Sequence, residues 1–138
     1  MSLFNIFNVS GSGMSAQSVR LNTTASNIAN ADSVSSSIDK TYKSRHPIFE
    51  AEMAKATSQQ NSSHSVSVKG IVESDKPSLK EFSPDHPMAD GDGFIYKPNV
   101  NVMEEMADMI SASRSYQMNV QVADAAKSML QQTLRMGK

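Results

Sequence analysis

Residues 101–138 read NVMEEMADMISASRSYQMNVQVADAAKSMLQQTLRMGK, and the fold turns on their spacing. Val102, Met106, Met109, Ser113, Tyr116, Val120, Ala123, Lys127, Leu130 and Leu134 follow one another at alternating steps of four and three. That step holds one stripe of an α-helix toward one partner, and only Ser113 and Lys127 interrupt its apolar character. Asn101 with Glu104 three positions later has the spacing of a capping box, so the helix starts here. Glu104, Glu105 and Asp108 crowd its first turns, while Lys127, Arg135 and Lys138 lie toward its end. Both placements suit the helix dipole.

The other terminus has a thinner seam. Phe7, Met14, Leu21 and Ile28 recur every seven residues, with Gly11, Ser18 and Ala25 between them. Large and small side chains thus alternate down one helical stripe. Gly11 and Gly13 each weaken a helix interior by about 1 kcal/mol relative to Ala, so the spacing predicts a helix over Met14–Asn30 and leaves the earlier turns open. Up to Ala31 the only charged side chain is Arg20; the other polar residues are Ser, Thr, Asn and Gln. Such uncharged groups are far cheaper to bury at a subunit contact than charges.

Between the termini the character changes. Ser33, Ser35, Ser36 and Ser37, and later the run Thr57–Ser65 without an apolar residue, read as loops. Ile48 and Phe49 open a short segment of undecided type. Val66 and Val68, continuing through Gly70 to Ile71 and Val72, alternate as a strand does. Pro77, Pro84, Pro87 and Asp90-Gly91-Asp92-Gly93 punctuate the rest, leaving Phe94, Ile95 and Tyr96 as one more strand before Pro98. The expected fold is mainly α with a small β-rich insertion. Long N- and C-terminal helices pair as a coiled-coil-like inner domain, residues 1–32 and 99–138, around a central domain of β-hairpin type, residues 33–98.

Composition removes whole classes of chemistry. The 138 residues carry 13 Lys and Arg against 14 Asp and Glu, a net charge of −1, so no field favours nucleic acid or an anionic membrane. Without cysteine, thiolate catalysis, disulfides and Cys-based zinc sites are excluded. His46, His64 and His86 lack the i, i+4 spacing of a helical metal site. Counted from Asp90, the twelfth position of a calcium loop is Asn101, where a bidentate Glu is needed. Adjacent Glu104 and Glu105 point about 100° apart and make a poor acid–base pair. Gly11-Ser12-Gly13 follows no strand and lacks a phosphate-binding Lys. No catalytic residue, metal ligand or cofactor site is expected. No stretch approaches the roughly 20 apolar residues of a membrane span, and the first residues lack the charge and apolar run of a cleavable signal peptide.

The C-terminal seam is too sparse to hold a helix of its length in isolation, since ordering each residue costs about 1–2 kcal/mol. Met103, Ile110, Val122, Ala126 and Met129 lie off that seam and would stay exposed on an isolated pair. Two readings remain open: the helices are buried against other chains, or they belong to one α+β domain whose own sheet covers them.

The residues themselves resemble a known family. Ser15-Ala16-Gln17, Arg20-Leu21-Asn22 and Ala25-Ser26-Asn27-Ile28-Ala29-Asn30-Ala31 resemble the N-terminal signature of the flagellar rod and hook axial proteins. Pro98-Asn99-Val100-Asn101-Val102, Glu104-Glu105-Met106 and Ile110-Ser111-Ala112-Ser113-Arg114-Ser115-Tyr116-Gln117 resemble the rod members of that family more closely still, with Pro84–Asp90 and Gly93 the best match in the middle. The resemblance implies a non-enzymatic structural subunit of the bacterial flagellar basal body. Such a subunit passes unfolded through the flagellar type III export apparatus, without a cleavable signal peptide, and folds as it joins a helical drive shaft crossing the periplasm. Its partners would be copies of itself and other rod proteins, with no nucleic acid and no membrane insertion. In the family the C-terminal helix lies nearer the lumen, where Gln117, Asn119, Gln121, Gln131 and Gln132 would form an uncharged lining or else an ordinary solvated face.

The residues expected to pack between subunits are Phe7, Met14, Leu21, Ala25 and Ile28 on the first helix. On the second they are Val102, Met106, Met109, Tyr116, Val120, Leu130 and Leu134, with Asn101 and Glu104 as the cap. Asn27, Asn30 and Arg114 are candidate polar contacts between subunits. The competing function is a soluble helical adaptor or export chaperone of fixed stoichiometry.

Overall fold

A computed structural model describes residues 3–52 and 64–137 of the chain. Most of the Thr57–Ser65 run expected as a loop lies outside the described residues; Ser65 itself begins a strand. Helix α1 spans Leu3–Ala29 and helix α2 spans Val102–Met136. Strands β1, Arg45–Glu52, and β2, Ser65–Glu73, form one antiparallel pair; β3, Leu79–Phe82, and β4, Phe94–Lys97, form another. The protein is mainly α with a small β insertion.

α1 begins eleven residues before the helix expected from Met14, running straight through Gly11 and Gly13. Tertiary packing overrides the propensity penalty here. A Cβ on Gly13 would lie 2.8 Å from Nδ2 of Asn119, so the glycine lets α2 approach. Ser12 Oγ accepts the Val66 N–H at 3.1 Å, which fastens β2 along the same helix.

The helices run antiparallel. Gly13 meets Asn119, and Asn27 hydrogen-bonds Glu105, a register that sets Leu3 level with Met129. Between them, apart from Asn27 and Glu105, the buried side chains are small: Ser10, Ala16 and Thr24 on α1, Ala112 and Ala126 on α2. A face so lined admits a close neighbour but few large residues. On α2 the covered line therefore runs through Glu105, Met109, Ala112, Asn119, Ala123, Ala126 and Leu130. It shares Met109, Ala123 and Leu130 with the heptad seam, and Val102 and Met106 fall to one side of it.

The β1–β2 hairpin lies on the flank of α1 that carries Ser12 and Val19. Its ladder shifts register between Ile48 and Phe49, so the segment of undecided type is a bulged strand. β3 was not legible as a strand; its partner β4 was. The turn between them is built on Asp90, whose Oδ1 accepts the Phe94 and Asp92 N–H groups at 2.8 and 3.0 Å and whose Oδ2 accepts the Tyr96 hydroxyl. The Phe94 N–H is the chief reason the Asp90 carboxyl is held below its ordinary range. Gly93 closes the turn at φ 80°, a conformation that favours glycine. Tyr96 and Ser35 exchange backbone hydrogen bonds, both at 3.0 Å, tying this pair to the chain that leaves α1.

Candidate functional site

Among the described residues the most heavily bonded side chain is that of Asn27, which is wholly buried. Its Nδ2 donates to the Arg45 carbonyl at 2.8 Å and to Glu105 Oε1 at 2.9 Å. Its Oδ1 accepts the Tyr42 hydroxyl at 2.8 Å and the Arg45 N–H at 2.9 Å. A carboxamide has two donors and two acceptor sites, and all four are used. One side chain thus joins α1, the segment before β1, β1 itself and α2, and only Asn has the right complement. Aspartate lacks the donors, and glutamine is one carbon longer.

Glu105, on the opposing helix, is 3% exposed. Its second oxygen, Oε2, is buried without a hydrogen-bond partner among the described residues. Burial pushes the Glu105 carboxyl above its ordinary range; the Asn27 N–H and the nearby His46 pull the other way, while Asp108 and Glu104 add to the rise. His46 Nε2 stands 4.0 Å from Glu105 Oε1. Tyr42 is also raised, first by burial.

Around this node lie the helix faces. At about 100° per residue, Phe7, Met14, Leu21 and Ile28 fall on the flank of α1 turned away from the β1–β2 hairpin. Val102, Met106, Ser113 and Val120 fall on the matching flank of α2, so the two stripes share one face of the helix pair. Phe7, Met14, Leu21 and Ile28 are half-buried and Ala25 is exposed. On α2, Met109, Val120 and Leu130 are half-buried, whereas Val102, Met106, Tyr116 and Leu134 are exposed. Beyond this face Met103, Ile110, Met118, Val122 and Met129 also meet solvent. A surface this rich in methionine adapts readily to a partner.

Other expected positions fall as follows. Asn101 caps α2 by accepting the Met103 N–H at 3.1 Å, one residue earlier than the Glu104 N–H of a capping box. Asn30 donates to the Ser26 carbonyl of its own helix. Arg114 is exposed on the side of α2 away from α1 and makes no ion pair among the described residues. Asn27, placed among candidate intersubunit contacts from its motif, has its whole hydrogen-bonding capacity satisfied within the chain. It sets the register of the two helices and has no donor or acceptor left over. Glu105 and Tyr42, its partners, were missed from sequence, where Glu105 read as dipole stabilisation alone.

Residues 7–35 match the family described as flagella basal body rod protein, and residues 92–136 match the C-terminal family of the flagellar basal body rod proteins FlgE, FlgF and FlgG. Over 138 residues, covering the whole of both chains, the sequence is 41% identical to the flagellar basal-body rod protein FlgC of Salmonella typhimurium and 43% identical to that of Yersinia enterocolitica. The FlgC of Bacillus subtilis is 32% identical over its full length. The chain belongs to the FlgC family of flagellar basal-body rod proteins. It is a structural subunit of the basal-body rod, and the two family matches coincide with the two helices that meet at Asn27 and Glu105. Among the described residues no helix is long and apolar enough to cross a membrane, and no three potential metal ligands stand together.

Proposed function

We propose that this FlgC-family subunit is a non-catalytic building block that assembles helically, with copies of itself and with other rod proteins, into the shaft that transmits torque across the periplasm. It reaches that place through the flagellar type III export apparatus. One observation carries the reading: the chain fixes its own helix pair through a saturated polar node yet leaves Val102 and Met106 on one face of the pair, with Ile110 and Tyr116 to either side, uncovered. Apolar side chains grouped in solvent in this way fit burial by neighbouring subunits. The residues 1–32 and 99–138 form the inner, helix-packed part on this reading, and residues 33–98 the outer part.

The test uses a strain whose own gene is deleted and replaced by the Met106→Lys variant. Because Met106 touches solvent in the subunit, the variant should unfold within about 0.5 kcal/mol of the parent, while basal bodies lose the subunit and cells lose motility. Normal motility with Met106→Lys in place removes this face from the assembly. A purified protein that forms only a closed dimer, seen by light scattering, would instead favour an adaptor or chaperone.

A further inference from the structure

All the sulfur in this chain is methionine: ten of the 138 residues are Met and none is Cys. With no thiol to react first, an oxidant meets thioethers. Eight of them lie among the described residues, where Met14 and Met109 are half-buried and the other six are exposed. Five of those six stand on α2, with Met103 77% and Met106 49% exposed. Oxidation of an exposed methionine turns a flexible apolar side chain into a polar one, and the consequence depends on what surrounds it.

Positions three and four away along a helix are surface neighbours. For Met106 these are Val102, Met103, Met109 and Ile110, every one apolar; all but the half-buried Met109 are exposed beside it. For Met118 they are Arg114, Ser115, Gln121 and Val122, three of them polar. An oxygen added at Met118 sits among groups that can hydrogen-bond it. At Met106 it has water alone, and once a neighbouring subunit displaces that water the oxygen is an acceptor without a donor. Met106 also lies off the line that packs on α1, whose nearest member, Glu105, points about 100° away. The oxidised subunit therefore keeps its fold and differs in what it can join.

We propose that Met106, with Met103 beside it, is an oxidant-sensitive modification site that governs incorporation: the sulfoxide keeps the subunit out of the rod, and its reduction readmits it. The proposal rests on the rod-subunit reading and deepens it by naming a chemical control on assembly. The oxidant is hydrogen peroxide or another hydroperoxide. The thioether sulfur gives an electron pair to a peroxide oxygen, the O–O bond breaks as the S–O bond forms, and water leaves; sulfur is oxidised and the peroxide reduced. A methionine sulfoxide reductase reverses the change at the expense of a dithiol, which ends as a disulfide while the oxygen leaves as water. Met118 undergoes the same chemistry without the same consequence, which makes it the internal control.

The purified chain is treated with dilute hydrogen peroxide, and oxygen uptake at each methionine is followed by mass spectrometry of its peptides. Met103 and Met106 should be oxidised at least several-fold faster than Met14 and Met109, with the circular dichroism of the helices unchanged; equal rates overturn the proposal. Cells carrying the parent, Met106→Leu or Met118→Leu chain as their only copy are then given peroxide while new basal bodies form. The subunit recovered in basal bodies should fall several-fold for the parent and for Met118→Leu. It should hold for Met106→Leu, where leucine fills a similar volume without an oxidisable sulfur. A fall of equal size in all three overturns the proposal. Glutamine, polar and uncharged at similar length, gives a second route that needs no oxidant: Met106→Gln should lower incorporation several-fold and Met118→Gln should not, and equal incorporation of the two overturns the proposal while leaving the rod reading standing. Absence of the unaltered chain from basal bodies of untreated cells overturns the rod reading itself.

Discussion

The end of the helix pair near Asn27 and Glu105 and the end beyond Gly13 and Asn119 are built from the same two helices but finish in opposite ways. At the first, four hydrogen bonds on one buried carboxamide join four segments, and the polar groups are satisfied by the chain itself except for Glu105 Oε2. At the second, the helices approach closely at a glycine and stay packed through Ser10 and Ala126, and α2 then runs past the described start of α1 with Leu134 and Met136 in solvent. Specificity is stored at the first end. Directional bonds at one end fix which residue of α1 faces which residue of α2. That register then determines how far α2 extends at the other end and which flanks of both helices are left for neighbours.

The largest expected effect comes from breaking the first end. Asn27→Ala removes both partners of the Arg45 backbone and the one donor to a buried carboxylate, so at least about 3 kcal/mol of unfolding free energy should be lost. Urea denaturation followed by circular dichroism reads it. A loss below about 1 kcal/mol would mean that the helices, and not this side chain, set the register. Asn27→Asp should do worse at neutral pH, because it places a second carboxylate against Glu105.

Glu105 gives the next effect, and its direction can be worked out. The group is raised in the folded chain by burial, so the folded state holds a proton that the unfolded state has already released. Stability therefore rises as pH falls from neutral toward the ordinary glutamate value of about 4.3. Glu105→Gln keeps an acceptor for the Asn27 N–H, removes the buried charge, and should be more stable at pH 7 with a flatter profile across that window. His46, Tyr42, Asp108 and Glu104 also face this carboxyl. A His46→Gln chain that keeps the parent's slope assigns it to Glu105; one that loses it assigns it to the histidine.

Much of this was legible in the sequence, for reasons that differ by element. α2 announced itself because a heptad step repeated over its whole length is hard to produce by chance, and the cap and the charge placement agreed with it. β2 and β4 were visible through alternation. β3, Leu-Lys-Glu-Phe, was not, since four exposed residues leave no buried face to impose a pattern. The first turns of α1 were hidden by glycine propensity, which a contact with Asn119 outweighs. The node was hidden more deeply. Asn27 was singled out by its motif, but what an asparagine bonds depends on residues 18 and 78 positions away, and no local period encodes that. The seam of α2 likewise mixed two faces: a strict 4,3 count cannot tell the line that packs on α1 from the flank beside it.

A smaller effect separates the two glycines at the far end. An added Cβ at Gly11 meets nothing within 4 Å, so Gly11→Ala should stabilise by about 0.5–1 kcal/mol through the unfolded chain and helix propensity. Gly13→Ala gains the same propensity but drives its methyl into the Asn119 side chain, and its net gain should fall short of that. Combining it with Asn119→Ala should recover the difference. Equal gains at both positions would show that α2 does not need the close approach.

The smallest expected effect tests whether charge shares the work of register. Arg20 and Asp108 are the one ion pair between the two helices among the described residues, with nitrogen and oxygen 3.4 Å apart and both side chains about a third exposed. A pair so placed contributes only about 0.2–1 kcal/mol, less in high salt. Asp108→Asn should therefore cost little, and the cost should shrink further between 0.05 and 0.5 M salt, roughly spanning the range over which surface charges become screened. A loss comparable to that of Asn27→Ala would reverse the comparison between the ends. It would place the helix register in the mid-helix ion pair and reduce the buried carboxamide to a tether for β1.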